Sequence, residues 1–430
     1  MSSKHHLRAG AGTKVIEIGE GILPIEGFTF VRNPLHARVL ILDSNIRIVI
    51  ASLEVTSLFD VIQEELTQTL CDMTGAQREN IWLTTTHSFG GPHLWPAPKP
   101  GEKPRGGKVR TEQDILHCAR LVEAYHDALR QAVTMALNSM RDAVMGAGTG
   151  TCTVAASRNM ECREGWWLGT DAEEPCNQTV TVLRVDDTAG TPIAMIFNYG
   201  VRSCTMQHSK AEDGGGIITS DLCGVTSSAL ENSVGDNFSA MFLCGAAADQ
   251  EPQLKSKQIE MDKNGDPLII DQGPIGGALL DAQAARLTAE VLKVWRRTTR
   301  LQDVEEIRSG SRQYICPTKK MGQTASFVKP TREANFEPDG EKILTVYALR
   351  LGVMNLIGVQ PEIDSVTSLE LANAIPGEIT AAAICVNGGE KCMPEHTAYE
   401  RVKYQSLNSP FQAGCAELMR DTAKDLMNLL

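Results

Sequence analysis

Apolar positions along this chain change period repeatedly, from every second residue to every third or fourth, and the changes predict alternating strands and helices. Apolar runs at 39–42 and 47–53 predict paired strands, with Asp43-Ser44-Asn45 as the turn between them. Asp60 can cap a helix reaching about Met73, whose apolar stripe holds Ile62, Leu66 and Leu70. A strand at 81–85 follows. A helix at 112–140 carries His126 on its Val122, Leu129 and Val133 face, the place of a packed core histidine. Strands are predicted at 149–155, 180–185 and 193–199, the last two hinged by Asp186-Asp187. A short helix after Asp221, a strand at 240–243 and an amphipathic helix at 279–295 come next. Strands at 343–350 and 354–359, a helix at 366–374, a strand at 381–386 and a closing helix at 414–430 complete the series. Such alternation predicts a layered α/β fold, with residues 1–430 as one domain and no separate C-terminal β-sandwich.

Three segments fall outside this rhythm. Residues 90–111 are rich in Gly, Pro, Lys and Arg and hold Trp95, the makings of a lid, a binding loop or an insertion. Residues 163–167 read as a loop whose Trp166 and Trp167 either wall a substrate pocket or bury against the sheet. Residues 253–274 read as an exposed excursion.

Composition narrows the function classes. With 42% apolar and 22% charged residues, the chain is globular rather than disordered. The 41 Lys and Arg against 53 Asp and Glu give a net charge of −12, which argues against nucleic acid or an anionic membrane as partner. The start, Met1-Ser2-Ser3-Lys4-His5-His6, is polar, and no apolar run is long enough to span a bilayer. The 12 cysteines lie singly, which suits a reducing cytoplasm better than secretion. The expectation is a cytoplasmic protein acting on a small molecule, with self-association left open.

The chemistry starts at Ile81-Trp82-Leu83-Thr84-Thr85-Thr86-His87-Ser88-Phe89-Gly90-Gly91-Pro92, where an apolar strand delivers one imidazole and then breaks in a turn. The segment resembles "ATHTHSGP" of the neutral ceramidase-like family, zinc-dependent amidohydrolases. Other stretches resemble that family's motifs in its order. Asn33-Pro34-Leu35-His36-Ala37-Arg38-Val39-Leu40 is similar to "DPLYARAL", and Ala51-Ser52-Leu53-Glu54 to "VSLD". Asn198-Tyr199-Gly200-Val201-Arg202-Ser203 is similar to the start of "NYxVHSSVM", and Thr219-Ser220-Asp221-Leu222-Cys223-Gly224 to "SADYPG". Phe242-Leu243-Cys244-Gly245-Ala246-Ala247-Ala248-Asp249-Gln250-Glu251-Pro252 resembles "FLNGAAGDVNP". Ala398-Tyr399-Glu400, with Ser409-Pro410-Phe411 further on, resembles "AYEEGGYE…TPFAPG".

The resemblance implies two β-sheets packed between helical layers. It also implies a zinc held by two histidines, a glutamate and a tyrosine at strand ends, polarising a carbonyl and activating a water. His87 maps onto the first histidine. Two glutamates compete. Pro376-Gly377-Glu378 matches "LPGE" by letters, but Glu362 ends an apolar strand, and 392 − 362 = 30 residues leave room for a helix and a strand where 392 − 378 = 14 do not. Glu362 is therefore preferred. Cys392, in Asn387-Gly388-Gly389-Glu390-Lys391-Cys392-Met393-Pro394, stands where "NGYxGYIP" has the ligand tyrosine, and a thiolate is a good zinc ligand.

Two positions depart further. Arg202 replaces the second metal histidine. It cannot ligate a metal, but it could hold a substrate carboxylate or pair with Glu362 or Asp221. Phe89 replaces the second histidine of "HTH". His208 is either a substitute ligand or a free loop histidine. Asp249 and Glu251, the latter where the family has a serine, are either a general base and substrate contact or turn-capping acids.

The expected site thus has His87, Glu362, Cys392 and His208 around a zinc, with His87, Arg202, Glu362, Asp249 and Glu251 in catalysis. Arg202, Phe89, Trp95 and Trp166 are expected to contact substrate. The expected function is hydrolysis of an amide or related C–N bond in a small, polar, anionic metabolite. The alternatives are a metal-free binding or sensor protein, or a lyase or isomerase.

Overall fold

The computed structural model describes residues 6–98, 110–174, 176–261, 267–321, 330–375 and 379–430. Eight strands form the larger sheet, in the order Ser239–Cys244, Pro192–Tyr199, Thr179–Asp187, Arg141–Thr151, Arg8–Ile16, Leu35–Asp43, Arg47–Leu53 and Ile81–Thr85. A second sheet runs Arg308–Lys319, Pro338–Arg350, Met354–Val359 and Ile379–Ala383.

The two sheets meet face to face because their strands are apolar on both sides. Leu40, Leu42, Ile48, Ile50, Leu183 and Val185 of the first sheet share one core with Leu349, Met354, Leu356 and Ala381 of the second. The alternate residues point outward: Val39, Ile41, Val49 and Ala51 pack under helices Asp60–Thr74 and Glu112–Asn138. Val346, Ala348, Ile357 and Val359 pack under Ser365–Ala374 and Cys415–Leu429. Helices, two sheets and helices again make four layers, the layered α/β architecture that the apolar periods predict. Among the described residues, no helix is long and apolar enough to cross a membrane.

Several elements depart from the sequence pattern. Asp60 is the first helical residue and Phe59 the N-cap, so Asp60 acts on the helix dipole rather than as a cap. The strand expected at 149–155 is two, Arg141–Thr151 and Ala155–Cys162. Within 163–167 only Arg163-Glu164 is a turn: Gly165–Asp171 pairs back on Ala155–Cys162, with Trp166 opposite Glu161. Within 253–274, Lys257–Met261 and Pro267–Asp271 pair as a hairpin.

The strand Arg8–Ile16 carries no alternating apolar signature, for a steric reason. Helix Glu112–Asn138 lies so close on it that a Cβ at Gly10 would stand 2.1 Å from the Ala136 carbonyl oxygen, and one at Gly12 2.2 Å from that of Ala132. Glycine there is what lets helix and sheet touch. Three parallel pairings end on one side of the molecule: Arg47–Leu53 with Ile81–Thr85, Pro192–Tyr199 with Ser239–Cys244, and Met354–Val359 with Ile379–Ala383. The residues just past these strand ends make the candidate site.

Candidate functional site

His87 follows Ile81–Thr85 in a left-handed backbone conformation, φ 53°, which a non-glycine residue holds only when its surroundings impose it. The imposition is visible. Phe89 N donates to Ser203 O at 2.9 Å and Ser203 N to His87 O at 3.4 Å, zipping this loop to the one carrying Arg202. The imidazole Nδ1 stands 2.9 Å from the Thr56 carbonyl, which fixes the ring and assigns a proton to Nδ1. The ring edge meets Phe89 at 4.8 Å between centroids.

Glu362 comes from the other sheet. It sits in Pro361–Ile363, directly after Met354–Val359, and pairs opposite Cys392 in the parallel strand Glu390–Met393. Its Oε2 receives the Arg202 guanidinium through Nη2, lies 3.3 Å from His87 Nε2 and accepts from Cys392 Sγ at 3.9 Å. The 3.3 Å approach is poorly aligned, so Nε2 is buried without a hydrogen-bond partner. Arg202 is held further by Ala247 O, 3.3 Å from Nε, and by the Phe89 ring, 4.9 Å beneath it. The structure therefore brings His87, Phe89, Arg202, Glu362 and Cys392 together at the meeting edge of the two sheets.

Burial pushes the Glu362 carboxyl up, but Arg202 first, then His87 and Arg158, outweigh burial and hold it far below the usual carboxylate range. Burial disfavours a charged His87. Glu362 and the neighbouring Cys385 thiol outweigh it and lift the imidazole to about 9. Cys392 moves the other way for a thiolate ligand: burial, with Glu362 adding, pushes its thiol up to about 12.

Arg158 is the residue that sequence reasoning missed. It lies in Ala155–Cys162, is 3% exposed, and stacks over the Tyr404 ring at 4.9 Å. Among the described residues, no side chain or carbonyl pairs with its guanidinium, and its buried Nε is without a partner. A buried arginine without a counter-ion is costly, and a ligand anion is the ordinary remedy. Its only sequence signal is a polar Ser157-Arg158-Asn159 run inside a strand, all three buried.

Most of the remaining expected site residues have partners of their own, although Asp249 and Glu251 lie on a segment that abuts the site: the Asp249 carbonyl accepts from Arg158 N at 2.8 Å and the Gln250 carbonyl from Arg202 N at 3.4 Å. His208 is exposed as a residue, although partial covering of its ring, with Lys257 and Lys210, lowers its pKa, and among the described residues no group fit to hold a metal includes it. Asp249 accepts from Ser365 N at 2.8 Å and Ser365 Oγ at 2.5 Å, holding the start of helix Ser365–Ala374. Glu251 pairs with Lys255, four residues on. Trp95 stacks on Phe59 at 4.9 Å, lies under Arg110 and donates Nε1 to Glu26, lining a different cavity of about 300 Å³ with Ile62 and Val122. Trp166 lies under Lys403 at 4.7 Å rather than beside His87. Glu378 and most of the basic loop, residues 99–109, lie outside the described residues.

The donor set does not fit a zinc. Among the described residues, no three of His, Cys, Asp and Glu are grouped to hold a metal ion. Burial pushes the Cys392 thiol up, away from the thiolate a zinc needs, and a guanidinium occupies the glutamate.

Neither a protein-family model nor a curated protein matches the sequence. Among solved structures, the chain is similar to a ceramidase complexed with C2, at 14% identity and a TM-score of 0.73, covering 98% of this chain and 75% of that one. It is also similar to the neutral ceramidase from Pseudomonas aeruginosa, at 15% identity and a TM-score of 0.71, covering 100% of this chain and 75% of that one. At such identities the likeness is one of fold: this chain has a ceramidase-like α/β fold.

Proposed function

We propose that the protein is a hydrolase acting on an amide or related C–N bond of a small, polar, anionic molecule. The observation that carries this reading is Arg158, a buried guanidinium without a carboxylate partner among the described residues. It stands with Arg202 and His87 around Glu362, whose carboxylate all three favour. A substrate carboxylate held bidentately by Arg158 would give that guanidinium the ion-pair partner it lacks among the described residues. The ceramidase-like fold supports the amide-hydrolysis class, because the solved structures that share it are ceramidases. His87, protonated at neutral pH, is placed to give a proton to a departing nitrogen. The Thr56 carbonyl fixes its ring, with Glu362 beside Nε2.

A second reading, a binding protein or a non-hydrolytic enzyme, is favoured by one observation. Glu362 is pinned as a weakly basic carboxylate, so the cluster holds no strong general base of its own. The test is amine release from a panel of N-acyl amino acids, lactams and cyclic amides, each beside its neutral carboxamide or ester. Turnover of acid-bearing members alone supports the hydrolase. Tight binding of the same acids without amine release would move the assignment to the second reading.

A further inference from the structure

We propose that Arg202 is the built-in cation of this site, taking the electrostatic place that a metal ion holds in a metal-centred hydrolase. The inference goes beyond the substrate class and stands on geometry alone. In a metal centre, lone pairs of several donors converge on one ion at about 2.0–2.3 Å. Here the convergence is inverted. Nη2 of Arg202, Nε2 of His87 at 3.3 Å and Sγ of Cys392 at 3.9 Å all approach one carboxylate oxygen, Oε2 of Glu362. The object at the centre is an anion, and hydrogen-bearing groups surround it.

Arg202 is also clamped. Its Nε faces the Ala247 carbonyl, its plane lies over Phe89, and its side chain is 12% exposed. A dication arriving at Glu362 would have to expel this guanidinium from a place with three fixed contacts, against like-charge repulsion. With Nδ1 of His87 committed to Thr56, a neutral ring would set the Nε2 lone pair against Oε2. The ring nitrogen best suited to a metal therefore faces an oxygen already claimed by arginine.

The test uses the full chain, freed of metal by dialysis against a chelator and then equilibrated with zinc sulfate. Bound zinc is read by plasma mass spectrometry and affinity by calorimetry, so that failure of this inference is distinct from failure to find a substrate. The wild type is expected to hold no stoichiometric zinc and to show no zinc-dependent change in Tm. Arg202→His, which replaces the guanidinium by a ligand, is expected to bind about one zinc per chain, at least about 10-fold more tightly than the wild type. Adding Glu362→Gln to that variant should abolish the gain. Arg202→Gln, neutral and still able to donate to Glu362, keeps the experiment decisive if the histidine variant folds poorly, and should also gain zinc affinity. A wild type that takes up one zinc per chain, lost in His87→Ala, would overturn the proposal. So would folded Arg202 variants as indifferent to zinc as the wild type.

Discussion

Nε2 of His87, at the end of one sheet, stands 3.3 Å from Oε2 of Glu362, at the end of the other. The two sheets are thus joined at the site by charge as well as by the apolar core between them. Arg202 completes the junction, because its guanidinium shares the same carboxylate oxygen.

Breaking the Arg202–Glu362 pair from one side leaves a buried charge. Glu362→Gln is expected to destabilise the protein by about 3–5 kcal/mol in urea unfolding. The double variant Arg202→Met with Glu362→Gln should recover much of that loss, since neither charge remains. Additive losses in the double variant would mean that the pair does not act as a unit.

The pH dependence follows from His87, whose pKa rises on folding from the ordinary 6.5 to about 9. The folded state binds that proton more tightly, so the contribution is whole below about pH 6.5, shrinks as pH rises and is gone above about pH 9. NMR titration of the His87 ring should give a midpoint near 9, and His87→Gln should flatten stability between pH 6.5 and 9. A midpoint at or below 6.5 would contradict the account.

The Asp249 carboxylate accepts two hydrogen bonds at the start of helix Ser365–Ala374. Asp249→Ala, which removes both acceptors of Ser365, is expected to cost about 1–2 kcal/mol of stability. Binding of anionic ligands should survive it. A variant of full stability that has lost ligand binding would return Asp249 to the chemistry.

Close packing of helix Glu112–Asn138 on the first strand predicts a position-specific glycine effect. Gly12→Ala meets the Ala132 carbonyl and is expected to cost about 1–3 kcal/mol. Gly19→Ala, with open space around it, should be nearly neutral in the same urea titration.

These cases show what the sequence could and could not reveal. Ile81–Thr85 and the histidine beyond it were legible because an apolar run, three threonines and a Gly-Gly-Pro break are all local. The layered α/β class was legible because strand-like and helix-like apolar periods alternate along the chain. Arg8–Ile16 was not, since glycines under a helix erase the alternation. Arg158 was not, because a buried cation leaves no period, and the strand Ala155–Cys162 that carries it begins where one was expected to end. The partner of Asp249 was not legible either, because Ser365 lies far along the chain and no spacing rule connects the two.

The claim at the centre of this account is that Arg158 receives the anionic end of the ligand. Calorimetric titration of an N-acyl amino acid and its carboxamide, against the wild type, Arg158→Lys and Arg158→Met, tests it most directly. The account predicts that the wild type prefers the acid by about 10- to 100-fold, the worth of one bidentate charge-assisted contact. It predicts that Arg158→Lys keeps part of that preference and Arg158→Met none. Equal affinity of the wild type for acid and carboxamide, or an acid preference unchanged in Arg158→Met, would contradict it.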